Sequence, residues 1–333
     1  MAIKTSVAGR LVVLSLALAP LPAFAQTAAT ELDVTVGRST EDVHAASSQL
    51  RVFGDAFGGW VYYLEAAWGQ QWGEESDAFG SAYPYDKRLR PAEMYAERTI
   101  LKGPYLAGVR VGQFRTPFGI SGRSDQAYNG FSRAPLIRYG EYWALSNNYL
   151  EDGVSIVAGT PRLFAEGSVG LSQDQDEYKR RQGIDSTLRV QGTIGPVIVG
   201  VSHIHTQPAA SRTFALGSSV FTGVDGRWMH GGVQLRGEWV DGHPFGGTRT
   251  FGGYLDVLVH RPVMGPVTAV FRAERLDYEA GRFSSYPRRY SAGARVRLSN
   301  VLVGQVNVVH QPVARRFEAF SGVDVSLTFT TRR

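Results

Sequence analysis

From residue 30 onward the chain alternates apolar with polar or very small side chains over runs of seven to twelve positions, and no helical period is sustained. A two-residue period places successive side chains on opposite faces of an extended strand. In Val233–Trp239, Val233, Leu235 and Trp239 share one face while Gln234, Arg236 and Glu238 share the other. Tyr290, Ala292, Ala294, Val296 and Leu298 likewise oppose Ser291, Gly293, Arg295 and Arg297, and Val323, Val325, Leu327 and Phe329 oppose Asp324, Ser326 and Thr328. The pattern predicts an all-β chain of about sixteen strands near 31–38, 48–54, 59–69, 93–100, 105–114, 153–159, 163–171, 185–194, 197–205, 220–229, 232–240, 249–260, 268–278, 288–298, 301–311 and 318–329. The alternation is poorest at 93–100, where Arg98 shares a face with Met94 and Ile100.

The connections carry more information than the strands. After even-numbered strands they are tight and built from turn residues: Lys102-Gly103-Pro104, Thr160-Pro161-Arg162, Gly195-Pro196, His230-Gly231 and Ser299-Asn300. After odd-numbered strands they are long: 70–92, 115–152, 172–184, 206–219, 241–248 and 279–287. All the long loops therefore leave one end of the sheet. A transmembrane antiparallel β-barrel has this layout, with short periplasmic turns and longer external loops. Trp60, Tyr62, Trp68, Trp228, Trp239, Tyr254, Tyr290 and Phe329 are expected to form the aromatic girdles of its lipid-facing surface.

The N-terminus supports export. Lys4 and Arg10 precede or abut the apolar run Leu11–Ala19, and Pro20, Pro22 and Ala23-Phe24-Ala25 follow. A basic start, an apolar stretch too short to span a membrane and small residues before the cut make residues 1–25 a signal peptide, with the barrel over 26–333. Its removal takes Lys plus Arg from 35 to 33 against 30 Asp plus Glu, so charge gives no sign of nucleic-acid binding. The chain has no Cys, which excludes disulfides, iron–sulfur sites and Cys-ligated zinc.

At Arg110-Val111-Gly112-Gln113-Phe114-Arg115-Thr116-Pro117-Phe118-Gly119 a strand runs into a Pro-Phe-Gly turn. This stretch resembles the signature of the phosphate-selective porin O and P family and related outer-membrane porins. Glu151-Asp152-Gly153-Val154-Ser155 and Gly223–Trp228 leading into Leu235–Trp239 are similar to the same family. The resemblance implies a sixteen-stranded outer-membrane barrel, usually trimeric, whose third external loop folds inward to narrow the pore. Two features depart from it. Phosphate-selecting members use clustered lysines, whereas Lys occurs after the signal only at 87, 102 and 179. Such barrels also end on an aromatic residue, whereas here Phe329 is followed by Thr330-Thr331-Arg332-Arg333.

In such a barrel the polar face of each strand lines the bore. The inward cations are then expected at Arg110, Arg189, Arg227, Arg236, Arg272, Arg295 and Arg297, and the anions at Glu65, Glu166, Asp225, Glu238, Asp256, Glu274 and Asp324. Equal numbers suit a diffusion pore for small hydrophilic solutes or ions, with at most a weak anion preference. Loop 115–152, the third external loop and the longest, is the candidate constriction. It carries Arg115, Arg123, Asp125, Arg133, Arg138 and Glu141.

Other chemistry is not indicated. The chain contains no G-x-S-x-G elbow, P-loop, H-E-x-x-H or dinucleotide fingerprint, so no enzyme activity is expected. His203 and His205 share a strand face, but zinc needs more converging ligands; no metal or cofactor is expected. Asp174-Gln175-Asp176-Glu177 reads as a solvated loop able to meet divalent ions between lipopolysaccharides. The expected partners are outer-membrane lipid and lipopolysaccharide, small solutes or anions, and further copies of the chain. The competing expectation is an exported β-protein that is not a channel: a barrel enzyme or a soluble ligand-binding protein.

Overall fold

A computed structural model describes residues 27–73, 79, 89–120, 130–138, 150–173, 180–181, 184–206, 209–210, 215–216, 218–244, 249–260, 265–279, 284–312 and 319–333. The signal segment and the acidic run 174–177 lie outside these residues.

Sixteen antiparallel strands close into a barrel. They are β1 (Ala29–Ser39), β2 (Val43–Asp55), β3 (Trp60–Gly73), β4 (Arg90–Lys102), β5 (Tyr105–Arg115), β6 (Leu150–Gly159), β7 (Leu163–Gln173) and β8 (Asp185–Ile194). The second half comprises β9 (Val197–Thr206), β10 (Ser219–His230), β11 (Val233–His243), β12 (Arg249–Val259), β13 (Val267–Glu279), β14 (Arg288–Arg297), β15 (Leu302–Gln311) and β16 (Phe320–Arg332). Each strand pairs with its neighbours in sequence, and β1 pairs with β16 from Glu31↔Arg332 to Ser39↔Asp324. Closure leaves no free edge. Three two-residue strands, Arg180–Arg181, Ala209–Ala210 and Ala215–Leu216, form a small separate sheet among the loops at the long-loop end.

The alternation has an inverted polarity. Outward-pointing Val36, Val201, Leu255 and Val308 are 49–54% exposed, while inward Ser202, Asp256, Asn307 and Asp324 are at most 1% exposed. A water-soluble sheet buries its apolar face, so this arrangement suits hydrocarbon outside and a polar interior. The strands run 10 to 14 residues, enough for a tilted span.

The tight turns lie where Gly can take a left-handed conformation. Gly103 and Gly195, at φ 59° and 56°, each precede a proline that needs no backbone donor. The first long-end connection departs from the expected spacing. Only Thr40–Asp42 separates β1 from β2, because Asp42 adopts φ 57° and the weakly patterned Val43–Ser47 joins the strand. Tyr254 also departs from expectation. It points into the bore, 7% exposed, with its hydroxyl 3.4 Å from Glu238 Oε2, because position 254 shares the pleat face of Asp256. Trp60, Tyr62, Trp68, Trp228, Trp239, Tyr290 and Phe329 lie on the outer face by the same alternation.

Candidate functional site: a charged bore with a loop strapped inside

The inner wall is built from cross-strand ion pairs. On the β1–β5 arc Arg51 lies 2.7 Å from Asp33, 3.2 Å from Glu31 and 3.4 Å from Glu65. Arg115, the last residue of β5, turns inward to Glu65 at 3.2 Å and Glu93 at 3.5 Å. Arg110 contacts Glu97 at 2.7 Å and Glu166 at 3.5 Å, with its guanidinium 4.7 Å from the Tyr95 ring centre. The fork of Arg suits two-oxygen contacts with a carboxylate, and its charge persists at every physiological pH.

On the β8–β14 arc the pairs are more deeply buried. Arg189 binds both oxygens of Asp225, with Nη2 2.8 Å from Oδ1. It reaches β10 by passing over Gly200 of β9, where a Cβ would stand 2.4 Å from Arg189 Nη2. Arg236 donates to Asp256 at 2.8 Å, and Arg272 donates to the same carboxylate at 2.6 and 2.9 Å. Arg289 donates to Glu274 at 2.8 and 3.2 Å.

Two expected bore cations are arranged differently. Arg227 stands directly opposite Arg236 in the β10–β11 register and has no ion-pair or hydrogen-bond partner among the described residues. Arg297, at the short-turn end of β14, also has a side chain without such a partner there. Arg295 shares their face opposite Thr268 and Gln305. Asp256 thus faces two arginines, with Arg227 beside them as a third.

The described parts of loop 115–152 lie against the inner wall. The Gly119 N–H donates to Ser202 Oγ at 3.0 Å and the Ile120 N–H to Glu238 at 3.4 Å. Further on, the Ser132 N–H and hydroxyl both donate to Asn307 Oδ1 at 3.0 Å. Arg133 forms a two-pronged pair with Asp324, at 2.9 and 3.0 Å, and also binds Glu41 in the β1–β2 turn. The wall answers with donors: Arg272 to the Arg133 carbonyl at 3.1 Å and Arg289 to the Ala134 carbonyl at 2.5 Å. The Leu136 N–H donates to Glu274 at 2.7 Å. Phe118, Leu136 and Ile137 add an apolar anchor against Ile204, Phe221, Val240, Tyr254 and Leu276. Arg123, Asp125 and Glu141 lie outside the described residues, and only the backbone of Arg138 is described.

Several bore residues escape sequence reading. Arg289 is two positions before Ser291 on an already recognised polar face, so the alternation could have exposed it. Arg51 and Glu97 are harder to find. Arg51 sits in a strand of low contrast, and the β3–β4 register shifts between Glu65 and Ala66. His203 lies on the outer face, hydrogen-bonded to its cross-strand neighbour Thr222 at 3.1 Å. No group of three potential metal ligands occurs among the described residues.

No protein-family model and no curated protein sequence matches the chain. Solved structures do. An anion-selective porin from Comamonas acidovorans is similar, with a TM-score of 0.61 at 14% identity over 92% of this chain and 99% of that one. The trimer form of OmpT, an outer membrane protein of Vibrio cholerae, has a TM-score of 0.62 at 9% identity over 92% and 98% of the two chains. Salmonella typhi OmpF, solved in complex with daunomycin, has a TM-score of 0.61 at 8% identity over 92% and 97%. The fold is therefore that of the sixteen-stranded outer-membrane porins.

Proposed function

We propose that the chain is an outer-membrane porin through which small hydrophilic solutes and ions diffuse passively, with a weak preference for anions. The observation that carries this reading is the polarity of the closed barrel: charged and amide side chains inside, aliphatic side chains outside. Only a wall between lipid and water calls for that arrangement. Export through the signal at residues 1–25, insertion in the bacterial outer membrane and assembly into homo-oligomers belong to the same reading; the trimer form of the Vibrio cholerae neighbour supports the last.

In this reading loop 115–152 narrows the bore, and Arg110, Arg189, Arg227, Arg236, Glu238, Arg272, Glu274, Arg295, Arg297 and Asp324 line it. Most of these guanidiniums hold the wall and the loop. The anion preference falls to Arg227 and Arg297, which form no ion pair among the described residues; Arg227 stands opposite Arg236, one of the two arginines on Asp256.

Reconstitution in a planar bilayer tests the reading. Ohmic steps in concentrated KCl and a reversal potential of the anion-preferring sign in a KCl gradient are expected. Correctly folded, membrane-inserted protein that passes no current would instead establish a non-channel barrel.

A further inference from the structure

The outer face of the barrel carries a shallow groove across β10–β14 that holds about 760 Å³. Gly226 and Gly237 stand opposite one another on its floor, and Gly253 and Ala273 continue the floor to β13. Trp239, Leu255 and Tyr290 rise around it, 44–53% exposed. Glycine in a strand marks a bulge, a bend or the close approach of another group. The β10–β11 register runs unbroken through Gly226, so no bulge accounts for it. A Cβ there would meet nothing nearer than the Ile198 carbonyl oxygen at 3.8 Å, so the wall itself has room for a larger residue. What the missing side chain leaves is space on the lipid side.

The groove ends in guanidiniums. At its long-loop end Arg275 and Arg288 face one another on β13 and β14. Both bind Asp277, Arg275 Nε lying 2.6 Å from Oδ2 and Arg288 Nη1 2.8 Å from Oδ1. Arg288 Nη1 also donates to the Pro287 and Tyr286 carbonyls at 3.0 and 3.2 Å. The shared carboxylate is covered, 1% exposed, whereas the two arginine side chains are 48% and 31% exposed. Arg275 Nη1 and Arg288 Nε and Nη2 have no partner among the described residues. The other acids of this face, Asp241 and Glu279, lie nearer the loops and are met by Arg249: Asp241 binds it at 2.9 Å, and Glu279 stands opposite it in the register. Exposed N–H groups on paired guanidiniums suit the oxygens of a phosphate. Leu235, at the far end of the groove, is level with Phe271, and Arg275 lies four positions further along β13. That is about 13 Å of strand, comparable with the ~15 Å that one leaflet contributes to a hydrocarbon core.

We propose that this groove seats one phosphate-bearing lipid of the external leaflet, the phosphorylated anchor of lipopolysaccharide. Its phosphate lies on Arg275 and Arg288, and an acyl chain lies over Gly226 and Gly237 beside Trp239 and Leu255. The proposal rests on the outer-membrane reading, which puts the long-loop end, and with it both guanidiniums, at the headgroup level of that leaflet.

The probes are bisphosphorylated lipid A, its dephosphorylated form and inorganic phosphate, added to delipidated full-length barrel in detergent, with bound lipid counted by native mass spectrometry. The phosphorylated lipid should bind about tenfold more tightly than the dephosphorylated one, and inorganic phosphate should not displace it. Arg275→Gln, which leaves Asp277 held by Arg288, and Gly226→Leu, which fills the floor, should each weaken the phosphorylated lipid roughly fivefold. Gly226→Leu should leave single-channel conductance unchanged, because position 226 faces away from the bore. Equal binding of the two lipid forms would overturn the proposal, as would displacement by inorganic phosphate or undiminished binding by folded Gly226→Leu. Loss of oligomers in Gly226→Leu with lipid binding intact would overturn it in favour of a second copy of the chain in the groove. The wild-type lipid series decides the matter even if neither variant folds. Selective lipid binding without any conductance would sink the channel reading alone; conductance without lipid selectivity would sink the groove alone.

Discussion

Arg133 and Asp324 are 191 residues apart in the chain and meet as a buried two-pronged ion pair, joining the middle of loop 115–152 to the last strand of the barrel. The contact is 2% exposed on the arginine and 0% on the aspartate. Breaking a buried pair from one side typically costs about 3–5 kcal/mol, and here Glu41 still holds Arg133, so the loss falls at or below the low end of that range. Asp324→Asn is therefore expected to lower resistance to unfolding in SDS and to increase open-channel current noise as the loop loosens. Arg133→Ala combined with Asp324→Ala should be less damaging than the sum of the two single changes, which a double-mutant cycle on the unfolding midpoints would show.

Arg227 offers the converse case. It lacks an ion-pair partner among the described residues, so Arg227→Ala strands no carboxylate and should leave thermal stability within about 0.5 kcal/mol of wild type. Its effect should appear in transport: the reversal potential in a KCl gradient moves toward zero, and Arg227→Glu moves it further in the cation direction. Arg189→Ala is expected to do the opposite, damaging folding because Asp225 is left buried and unpaired.

Gly200 permits the bridge from β8 to β10. A methyl group there would stand 2.7 Å from Asp225 Oδ2 as well as pressing on Arg189. Gly200→Ala should force the pair aside at a cost of about 1–3 kcal/mol, the usual range for overpacking. A lowered unfolding midpoint with unchanged β-sheet circular dichroism would register it.

The outer face has its own test. Leu255 lies mid-strand in β12, 53% exposed, and its neighbours in the alternation, Asp256 and Tyr254, face inward. Leu255→Arg should destabilise the barrel in lipid by about 2–4 kcal/mol, the range for a cation near the bilayer midplane. The same protein in detergent should lose less. A penalty equal in the two media would contradict a lipid-facing position.

The architecture was legible because it depends on local signals. Val233–Trp239 declares its two faces within seven residues, and Gly103-Pro104 declares its turn within two. The bore was legible only as a set of side chains and not as a set of contacts. Whether Asp256 holds Arg236, Arg272 or both depends on cross-strand register, which one irregular residue shifts, as at Glu65/Ala66. Arg189 and Asp225 lie on strands that are not even adjacent, and their meeting hinges on a missing side chain at Gly200. Tyr254 departs from the girdle expectation because it lies mid-strand in β12, away from either rim, and the parity of its neighbours turns it into the bore.

The seam between Ala29–Ser39 and Phe320–Arg332 has a consequence for biogenesis. Interior strands pair with their sequence neighbours, but the outer edge of the first strand must wait for the last strand before its hydrogen bonds are satisfied. Until Phe320–Arg332 is delivered, the growing sheet presents two raw borders and a greasy exterior to water, a state prone to sticking to other molecules. A chain cut before Phe320 should therefore accumulate as aggregate or protease fragments rather than as a smaller working cylinder, and the full chain needs an escort until its two ends zip together.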